Sequence, residues 1–333
     1  MDNYKGVLVC GEMADGKLAP ITIELLGVGR KLADELGEEL SILLLGSKSG
    51  ALGQDAIAYG ADNVYISEDS LFDIYNSDAY TMATANLCKK ILPSIMLFGY
   101  TDIGCDLSPR LNGRLGGGLS MECSALSIDP ATKLLVTTRP VFGGNALATM
   151  LSKTARPQMA TIRAKVMPPA EHNDSRQGKV IPLEDKVDPS ALKVKVIEKI
   201  KEEVEGVKLE DAEVVVAGGR GMGTAADFAK LRELAGVLGG AVGGTRVACD
   251  EGWVSATLQI GQSGKVVSPK LYLAVGLSGA IAHIAGCLGS KCIVAINKDN
   301  EANIFNVAHF GIVGDWKEIL PPLTEKMKEL KGK

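Results

Sequence analysis

The chain has 333 residues, of which 46% are hydrophobic, and a formal net charge of -4 at pH 7. This length allows two domains, each with a core, and the weak negative charge excludes the basic surface of a nucleic-acid-binding protein. Seven cysteines without a CxxC pair exclude a disulfide framework. No apolar run approaches the roughly 20 residues that span a bilayer, and residues 1–17 do not resemble a secretory signal. We therefore expect a cytoplasmic protein without membrane insertion.

The first half of the chain alternates between strand and helix patterns. This alternation predicts an α/β fold with a doubly wound parallel sheet. The predicted strands are residues 5–12, 39–46, 63–68 and 94–101. The predicted helices are residues 21–37, 51–60 and 78–92, the last with Asp78 as its cap.

Residues 102–203 are less regular. Residues 102–120 read as a helix that ends in three glycines, 116–118. Such a run can bind a phosphate, but no strand precedes it directly and no Lys-Ser or Lys-Thr pair follows, so a nucleotide site there is the less favoured interpretation. The remaining segments are predicted as strands of the same sheet (133–150 and 156–167), a surface loop (168–190) and a last strand (194–203).

A new pattern of strand, turn and helix begins at residue 212, soon after the predicted strand 194–203. This restart predicts two domains, 1–201 and 202–333. Its parts are a strand (212–218), a glycine turn (218–223) and a helix (224–239) that runs from Thr224 to Gly239. The glycines at 219, 221 and 223 form only a partial dinucleotide fingerprint.

Residues 257–297 predict a glycine turn followed by a βαβ unit, with strands 271–276 and 292–297 around a helix at 280–289. Ser278 is its predicted N-cap and Gly289 its predicted C-cap. The free N–H groups at the start of such a helix suit a phosphate. His283 lies inside the apolar helix. A helix that presents its start to a phosphate and an ordinary helix packed on a sheet, with the hydrogen bonds of one buried histidine satisfied, explain this pattern equally well.

Polar residues collect at the predicted strand ends of the second domain. The set has no paired carboxylates, no metal-ligand cluster and no GxSxG motif, so it suggests a cofactor carrier without catalytic residues or a metal. Hydroxyl, imidazole and guanidinium groups are suited to tuning a flavin. The residues are Arg220, Arg246, Gln262, Ser263, Ser278, His283, Asn297 and Asp315.

The second domain closely resembles the alpha subunit of electron-transfer flavoproteins. The resemblance lies in AGGRGM, GGTRVACDEGWV, QIGQSGKVVSPKLYLAVGLSGAIAHIAG, CIVAINKDNEANIF and FGIVGDW, and more loosely in RPVFGGN and RPQMATIR of the first domain. It implies a Rossmann-like C-terminal domain that binds one FAD. It also implies an N-terminal domain of the nucleotide-hydrolase type that has no cofactor of its own and contacts a smaller beta subunit.

The resemblance implies a role for several groups around FAD. The Ser263 hydroxyl would meet N5, His283 the C2 carbonyl region, and Arg246 the isoalloxazine ring. Ser278 and its neighbouring amides would meet the pyrophosphate, and Asn297 and Asp315 the ribityl, ribose or adenine. The full implied set is Arg220, Thr245, Arg246, Gln259, Ile260, Gly261, Gln262, Ser263, Ser278, Gly279, Ala280, Ile281, Ala282, His283, Asn297, Asp315 and Trp316.

Four positions depart from the family's usual residues. Ala282 stands where the family usually has Gln, so one side-chain contact is lost. Ser263 and Thr245 stand where Thr and Ser are commoner, and both keep the hydroxyl. His309 stands where Asp is common, and its role is open.

The implied function is electron transfer between a partner flavin, such as that of an acyl-CoA dehydrogenase, and an acceptor. At Trp253 the chain resembles the electron-bifurcating members of the family. Those members carry a second FAD in the beta subunit and work with NADH and ferredoxin. Two other functions stay open: a stand-alone flavin or dinucleotide oxidoreductase, and a structural nucleotide-binding subunit without a cofactor. A visible spectrum would separate them.

Overall fold

The computed structural model describes residues 3–144, 146–184, 186–198 and 207–332. The chain divides into two compact units, one formed by Met1–Val141 with Leu147–Ile200 and the other by Phe142–Ala146 with Lys201–Lys333. The predicted domain boundary between residues 201 and 202 lies outside the described residues. Within these, no helix is long and apolar enough to cross a membrane.

The first unit is built on a parallel sheet of seven strands in the order β12-β5-β4-β1-β6-β11-β7. The central strands β1 and β6 are buried along their whole length, as expected when helices cover both faces of a parallel sheet. The strands are β1 Val7–Cys10, β2 Met13–Ala14, β3 Lys17–Leu18, β4 Leu40–Leu45, β5 Asn63–Ser67, β6 Ile95–Gly99, β7 Gly118–Cys123, β8 Ala125–Ile128, β9 Leu135–Val141, β10 Ala146–Leu151, β11 Gln158–Ile162 and β12 Lys179–Pro182.

The helices of the first unit end where the sequence indicates. Gly37 and Gly116 take left-handed conformations at the ends of two of them, so the first of the three glycines at 116–118 stops a helix and the third begins β7. The helices are α1 Pro20–Leu36, α2 Gly53–Ala58, α3 Ser77–Ile91 and α4 Asp102–Leu115.

The prediction that residues 133–150 extend the main sheet is wrong. They form β9 and β10 of a separate three-stranded sheet in the order β10-β9-β8, in which β9 runs antiparallel to β8. Only a short turn separates β8 from β9, and a short turn joins antiparallel strands, whereas a parallel pair needs a long crossover. Residues 158–162 do join the main sheet, as β11.

Three further predictions need correction in the first unit. Residues 168–190 contain β12, an edge strand that pairs with β5; its mostly exposed residues lack the apolar signal of a buried strand. The cap of α3 is Asn76 and not Asp78, which lies in the first turn. In the predicted strand 194–203, residues 194–198 are not in a strand and the remainder lies outside the described residues.

The second unit is a five-stranded parallel sheet in the order β14-β13-β15-β16-β17. The two-domain α/β prediction with a Rossmann-like second domain is therefore confirmed. The strands are β13 Val214–Gly218, β14 Ala241–Gly244, β15 Leu271–Val275, β16 Ile293–Asn297 and β17 Phe310–Val313. The helices are α5 Phe228–Leu238, α6 Arg246–Asp250, α7 Ile281–Ile284 and α8 Trp316–Lys331.

Two predicted helix starts are wrong in this unit. The Thr224 hydroxyl donates to the Asp227 carboxylate at 2.8 Å within a turn, so α5 begins only at Phe228. The predicted helix 280–289 shrinks to the single turn α7, whose N-cap position is Ala280 and whose C-cap is Ala285, instead of Ser278 and Gly289. Gly279 has a positive φ of 78° just before it, which interrupts the helical path.

Replacing Asn76 tests the observed start of α3. The Asn76 side-chain oxygen accepts hydrogen bonds from the backbone N–H groups of Asp78 and Ala79, both at 3.1 Å. We expect Asn76→Ala to lower the free energy of unfolding by about 1 kcal/mol in urea denaturation. Both variants lose the hydrogen bond that Nδ2 of Asn76 donates to the Val194 carbonyl at 2.8 Å, but Asn76→Asp keeps the capping acceptor and should therefore lose less stability. Equal losses in the two variants would contradict the assigned cap.

Candidate functional site

A large cavity of the second unit lies where the chain order of the sheet reverses. From β13 the chain passes through α5 to β14 on one side, and it then returns to β15 on the other side of β13. Ligands of open α/β sheets bind outside the carboxyl ends of strands at such a point. A cavity of about 780 Å³ opens there, within the usual range for small-molecule sites.

Two turns that follow the central strands pack directly on each other at this cavity. The backbone N–H of Gly221 donates to the Gly276 carbonyl at 2.8 Å. A Cβ on Gly221 would lie only 2.6 Å from that oxygen, and Gly276 itself has a positive φ of 59°. Neither position therefore accommodates a side chain without displacing the other turn.

The structure brings most of the predicted site residues together at this cavity. Each of them follows the carboxyl end of a strand or belongs to the segment that crosses between strands. The predicted residues that line the cavity are Arg220, Thr245, Arg246, Gln259, Ile260, Gly261, Ser263, Ser278, Gly279, Ala280, Ala282, His283 and Asn297.

Four predicted residues do not line this cavity. Gln262 is exposed, although its backbone N–H donates to the Ala282 carbonyl at 2.7 Å, and Ile281 is 63% exposed. Asp315 and Trp316 line an adjoining smaller cavity of about 160 Å³. The Trp316 indole donates to the Gly221 carbonyl at 3.0 Å, so it supports the turn after β13 from behind.

Several lining residues were not predicted from the sequence. Lys298 and Asp299 directly follow the predicted strand 292–297, and their position at a strand's carboxyl end was the available signal. The others are apolar or glycine, and nothing in their residue type distinguishes them from core residues. The unpredicted lining residues are Gly221, Val247, Gly276, Leu277, Lys298, Asp299 and Ala302.

The loop of residues 259–265 is held against the segment that contains α7 by main-chain packing. A Cβ on Gly286 would clash with the backbone of Gly261, so this approach requires glycine at position 286. Gly261 has a φ of 147°, which also favours glycine. Within the loop, the Gln259 amide donates to the Ser263 hydroxyl oxygen at 2.9 Å. The Ser263 hydroxyl hydrogen is therefore available for an acceptor in the cavity.

His283 is buried, with 6% of its surface exposed. Its Nδ1 lies 3.0 Å from the Ile260 carbonyl oxygen and its Nε2 lies 2.8 Å from the Tyr272 hydroxyl. Burial lowers the pKa of His283 to about 4, although the hydrogen bond to Ile260 raises it in part. The imidazole is therefore neutral at pH 7 and has protein partners on both nitrogens.

The cations of the cavity lie at its exposed rim. Arg220 and Lys298 have no ion pair or side-chain hydrogen bond within the part of the chain that the structure describes. The Arg246 guanidinium is 72% exposed and lies 3.6 Å from the Asp250 carboxylate. The Thr245 hydroxyl accepts from the Ala248 N–H at 3.4 Å as the N-cap of α6. These positive groups provide an anion-binding rim.

His309, whose role the sequence leaves open, completes the sheet. Its side-chain Nδ1 accepts a hydrogen bond from the backbone N–H of Ile293 at 3.0 Å, and the backbone N–H of His309 donates to the Ile293 carbonyl at 2.8 Å. This pair joins the start of β16 to the segment before β17. His309 does not line the cavity.

Comparison with known proteins assigns a family to this architecture. Residues 7–188 match the electron transfer flavoprotein domain, and residues 208–288 match the electron transfer flavoprotein FAD-binding domain. The chain is 44% identical to electron transfer flavoprotein subunit alpha of Thermoanaerobacterium thermosaccharolyticum, over 99% of this chain and 100% of that protein. The chain belongs to the electron transfer flavoprotein alpha family.

Other relatives agree with this assignment. Electron transfer flavoprotein subunit alpha of Megasphaera elsdenii is 45% identical, over 99% of this chain and 98% of that protein. Protein FixB of Clostridium saccharobutylicum is 43% identical, over 98% of each chain. The predictions of an electron-transfer function and of FAD as the cofactor are therefore confirmed at the level of the family.

The described residues fit FAD chemically. A pyrophosphate needs unpaired cations and close main-chain approach, and Arg220, Lys298 and the glycine turns supply both. A flavin ring needs directed hydrogen-bond donors, and the free hydrogen of Ser263 is one. When it is bound, FAD supplies the redox chemistry. The protein residues position and tune it.

Gly286→Ala tests the main-chain packing of the 259–265 loop. The added Cβ would displace Gly261, which lines the cavity. We expect the purified variant to hold less than about a tenth of the FAD of the unaltered chain, because misplacing the loop removes several contacts together. Gly236→Ala on α5 is the matched control, since its Cβ meets nothing within 4 Å, and it should retain full FAD content. Full occupancy in Gly286→Ala would contradict the packing.

The pH dependence of stability tests the burial of neutral His283. Its pKa is about 4 in the folded chain, against 6.5 for an unperturbed histidine. The stabilisation is therefore complete above about pH 6.5 and is lost as the pH falls towards about 4, because only the unfolded chain takes up the proton. Between about pH 6.5 and about pH 4, we expect the free energy of unfolding of the unaltered chain to fall by about 3 kcal/mol more than that of the His283→Gln variant. Parallel losses in urea denaturation would refute a depressed pKa.

Proposed function

We propose that this chain is the FAD-carrying alpha subunit of a heterodimer with a smaller beta subunit, in the cytoplasm of a bacterium or archaeon. Its flavin would accept electrons from an acyl-CoA dehydrogenase or a similar flavoprotein and pass them to an acceptor. The observation that carries this proposal is the 780 Å³ cavity at the reversal of strand order, with cations at its rim and neutral donors inside. Of the described lining residues, Asp299 has the one carboxylate, which accepts a hydrogen bond from the Glu301 N–H at 3.0 Å within its own turn, and His283 has protein partners on both nitrogens, so the two do not form an acid and base pair.

We assign the two ends of the cavity to the two ends of the cofactor. Ser263 and Arg246 belong to the ring end, where a donated hydrogen bond and a positive charge favour the reduced, negatively charged flavin. Arg220, Ser278 and Asn297 belong to the pyrophosphate and sugar end. Asn297 is already oriented by donating to the Leu277 carbonyl at 2.9 Å. The residues that do not line the cavity, such as Trp316 and Gln262, would act by supporting those that do.

We infer that residues 1–201 serve the partner subunit and residues 202–333 the cofactor. Support comes from the first unit's own reversal of strand order, between β1 and β6. The cavity there is only about 20 Å³, because Tyr80 and Phe98 occupy the space and Glu12 accepts a hydrogen bond from Thr101 at 2.6 Å. A nucleotide needs more than ten times that volume.

The partner chemistry separates two versions of this function. Trp253, the residue that resembles bifurcating members of the family, packs against Phe228 with ring centroids 6.2 Å apart and does not line the FAD cavity. Its position is explained by core packing. We therefore propose the conventional carrier, with an NADH- and ferredoxin-linked bifurcating complex as the alternative.

A flavin count on the co-expressed heterodimer tests the proposal. We expect a flavin absorbance spectrum, one FAD per heterodimer, and reduction by a flavoprotein dehydrogenase but not by NADH. Two FAD per heterodimer with reduction by NADH would favour the bifurcating complex. A complex without flavin, even after FAD is added, would refute the assignment of the cavity. A flavin reduced without any partner protein would favour a stand-alone oxidoreductase.

A further inference from the structure

The 259–265 loop is closed by the backbone of Lys265. The N–H of Lys265 donates to the Gln259 carbonyl at 2.7 Å, and its carbonyl accepts from the Gly261 N–H at 3.1 Å. Gln259, Gly261 and Ser263 line the cavity, whereas Lys265 lies behind them and does not. Lys265 therefore joins the two ends of the loop from outside the cavity, and the position of Ser263 depends on this closure.

A turn of residues 208–212 packs against the start of the same loop. Leu209 and Ala212 of this turn are both buried, with 1% of their surface exposed. A Cβ on Gly243 would meet the side chains of both Leu209 and Ile260, so these two side chains converge on one point of β14. The turn is thus anchored in the core directly beside the residue that opens the cavity loop.

One ion pair joins this turn to the closing residue of the loop. The Glu210 carboxylate lies 2.6 Å from the Lys265 ammonium, and the pair is partly buried, with 45% and 32% of the two side chains exposed. Glu213 makes a second pair of the same length, with Lys270. That pair is 70% and 64% exposed, and Lys270 lies beyond the loop. Of these two pairs, only the first can act on the cavity loop.

We propose that Glu210 is a positioning residue that, through its ion pair with Lys265, holds the 259–265 loop in the conformation that presents Ser263 to the flavin. This proposal rests on the assignment of the cavity to FAD. Glu210 does not line the cavity and so acts only through the loop. A loop that already holds the binding conformation loses less conformational freedom when the cofactor binds. A loop that holds it only part of the time lowers the affinity by that fraction.

The sign of the effect separates positioning from long-range electrostatics. FAD carries negative phosphates, so removal of the Glu210 charge would by itself strengthen FAD binding and favour the reduced, negatively charged flavin. Loss of the ion pair has the opposite effect on both quantities. The loop then leaves the binding conformation part of the time, and Ser263 donates less consistently to the reduced ring.

FAD titration of the flavin-stripped heterodimer tests the proposal. We expect Glu210→Gln to raise the dissociation constant of FAD about threefold at low ionic strength, the size that a half-exposed ion pair allows. The midpoint potential of the flavin should fall, because the donated hydrogen bond that favours the reduced form is weakened. At about 1 M KCl, which screens such a pair, the variant and the unaltered chain should bind FAD nearly equally.

Glu213→Gln is the matched control for this measurement. It removes the same charge and an ion pair of the same length, 2.6 Å, three residues further along the same segment. Because its partner Lys270 is not part of the cavity loop, we expect neither weaker FAD binding nor a lower midpoint potential. A general loosening of this segment would weaken FAD binding in both variants.

Exchanging the two charges tests whether the pair itself is responsible. Glu210→Lys and Lys265→Glu each place like charges together, and each should weaken FAD binding more than Glu210→Gln does. The double variant restores an ion pair of reversed polarity and should regain most of the lost affinity. Hydrogen exchange of the Gly261 and Lys265 backbone N–H groups should be faster in Glu210→Gln and slow again in the double variant.

The outcomes keep this proposal separate from the assignment of the cavity. Unchanged or tighter FAD binding in Glu210→Gln, or equal weakening in Glu213→Gln, would overturn the positioning role. A double variant that binds FAD no better than its two single variants would overturn it as well. An unaltered heterodimer that binds no FAD would refute the proposed function, and hydrogen exchange would then decide whether Glu210 holds the loop.

Discussion

The site of the second unit depends on main chain packed against main chain. The turn after β13 touches the turn after β15 at Gly221 and Gly276, and the 259–265 loop touches the segment after α7 at Gly261 and Gly286. Each approach exists only because one or both partners lack a Cβ. Together they fix the distance between the carboxyl ends of the central strands and the loop opposite them. The width of the cavity follows from that distance.

Polar groups of the site are arranged by their depth. The deepest one, His283, is neutral and has both nitrogens bonded to protein groups, as burial in a low-dielectric region requires. Charged groups such as Arg220, Arg246 and Lys298 lie at the rim, where water reduces the desolvation cost of a charge that has no partner. An anionic cofactor can then meet positive charge without the protein having buried that charge in advance. This arrangement suits a carrier whose cofactor changes charge while the protein does not.

Sequence patterns predicted the strands of both sheets well, because strands buried on both faces are continuous apolar runs such as 271–275 and 293–297. They also indicated the site, since polar residues after those runs must lie at one edge of a parallel sheet. They failed where tertiary packing decides the structure. Ser278 has the residue type of a cap, yet Gly279 turns the chain before α7 begins. Strand β12 is exposed, so its pairing with β5 had no apolar signal.

The buried hydrogen bond between His283 and Tyr272 could not be predicted from the sequence either, because Tyr272 lies eleven residues away on a different element. An apolar helix with one histidine fits a ligand contact and a satisfied core residue equally well. The register of β15 places the Tyr272 hydroxyl 2.8 Å from Nε2 of His283, and the same imidazole also lines the cavity.

The two units show how side-chain size decides whether a point at which the strand order reverses can bind a ligand. Both sheets reverse their strand order next to the first strand of the unit, and both end their central strands in glycine. In the first unit Tyr80 and Phe98 fill the crevice, and burial raises the pKa of Glu12. A carboxyl group there would also repel a phosphate whenever it ionised. In the second unit glycine, serine and alanine line the same place, so the crevice stays open and its donors face a ligand.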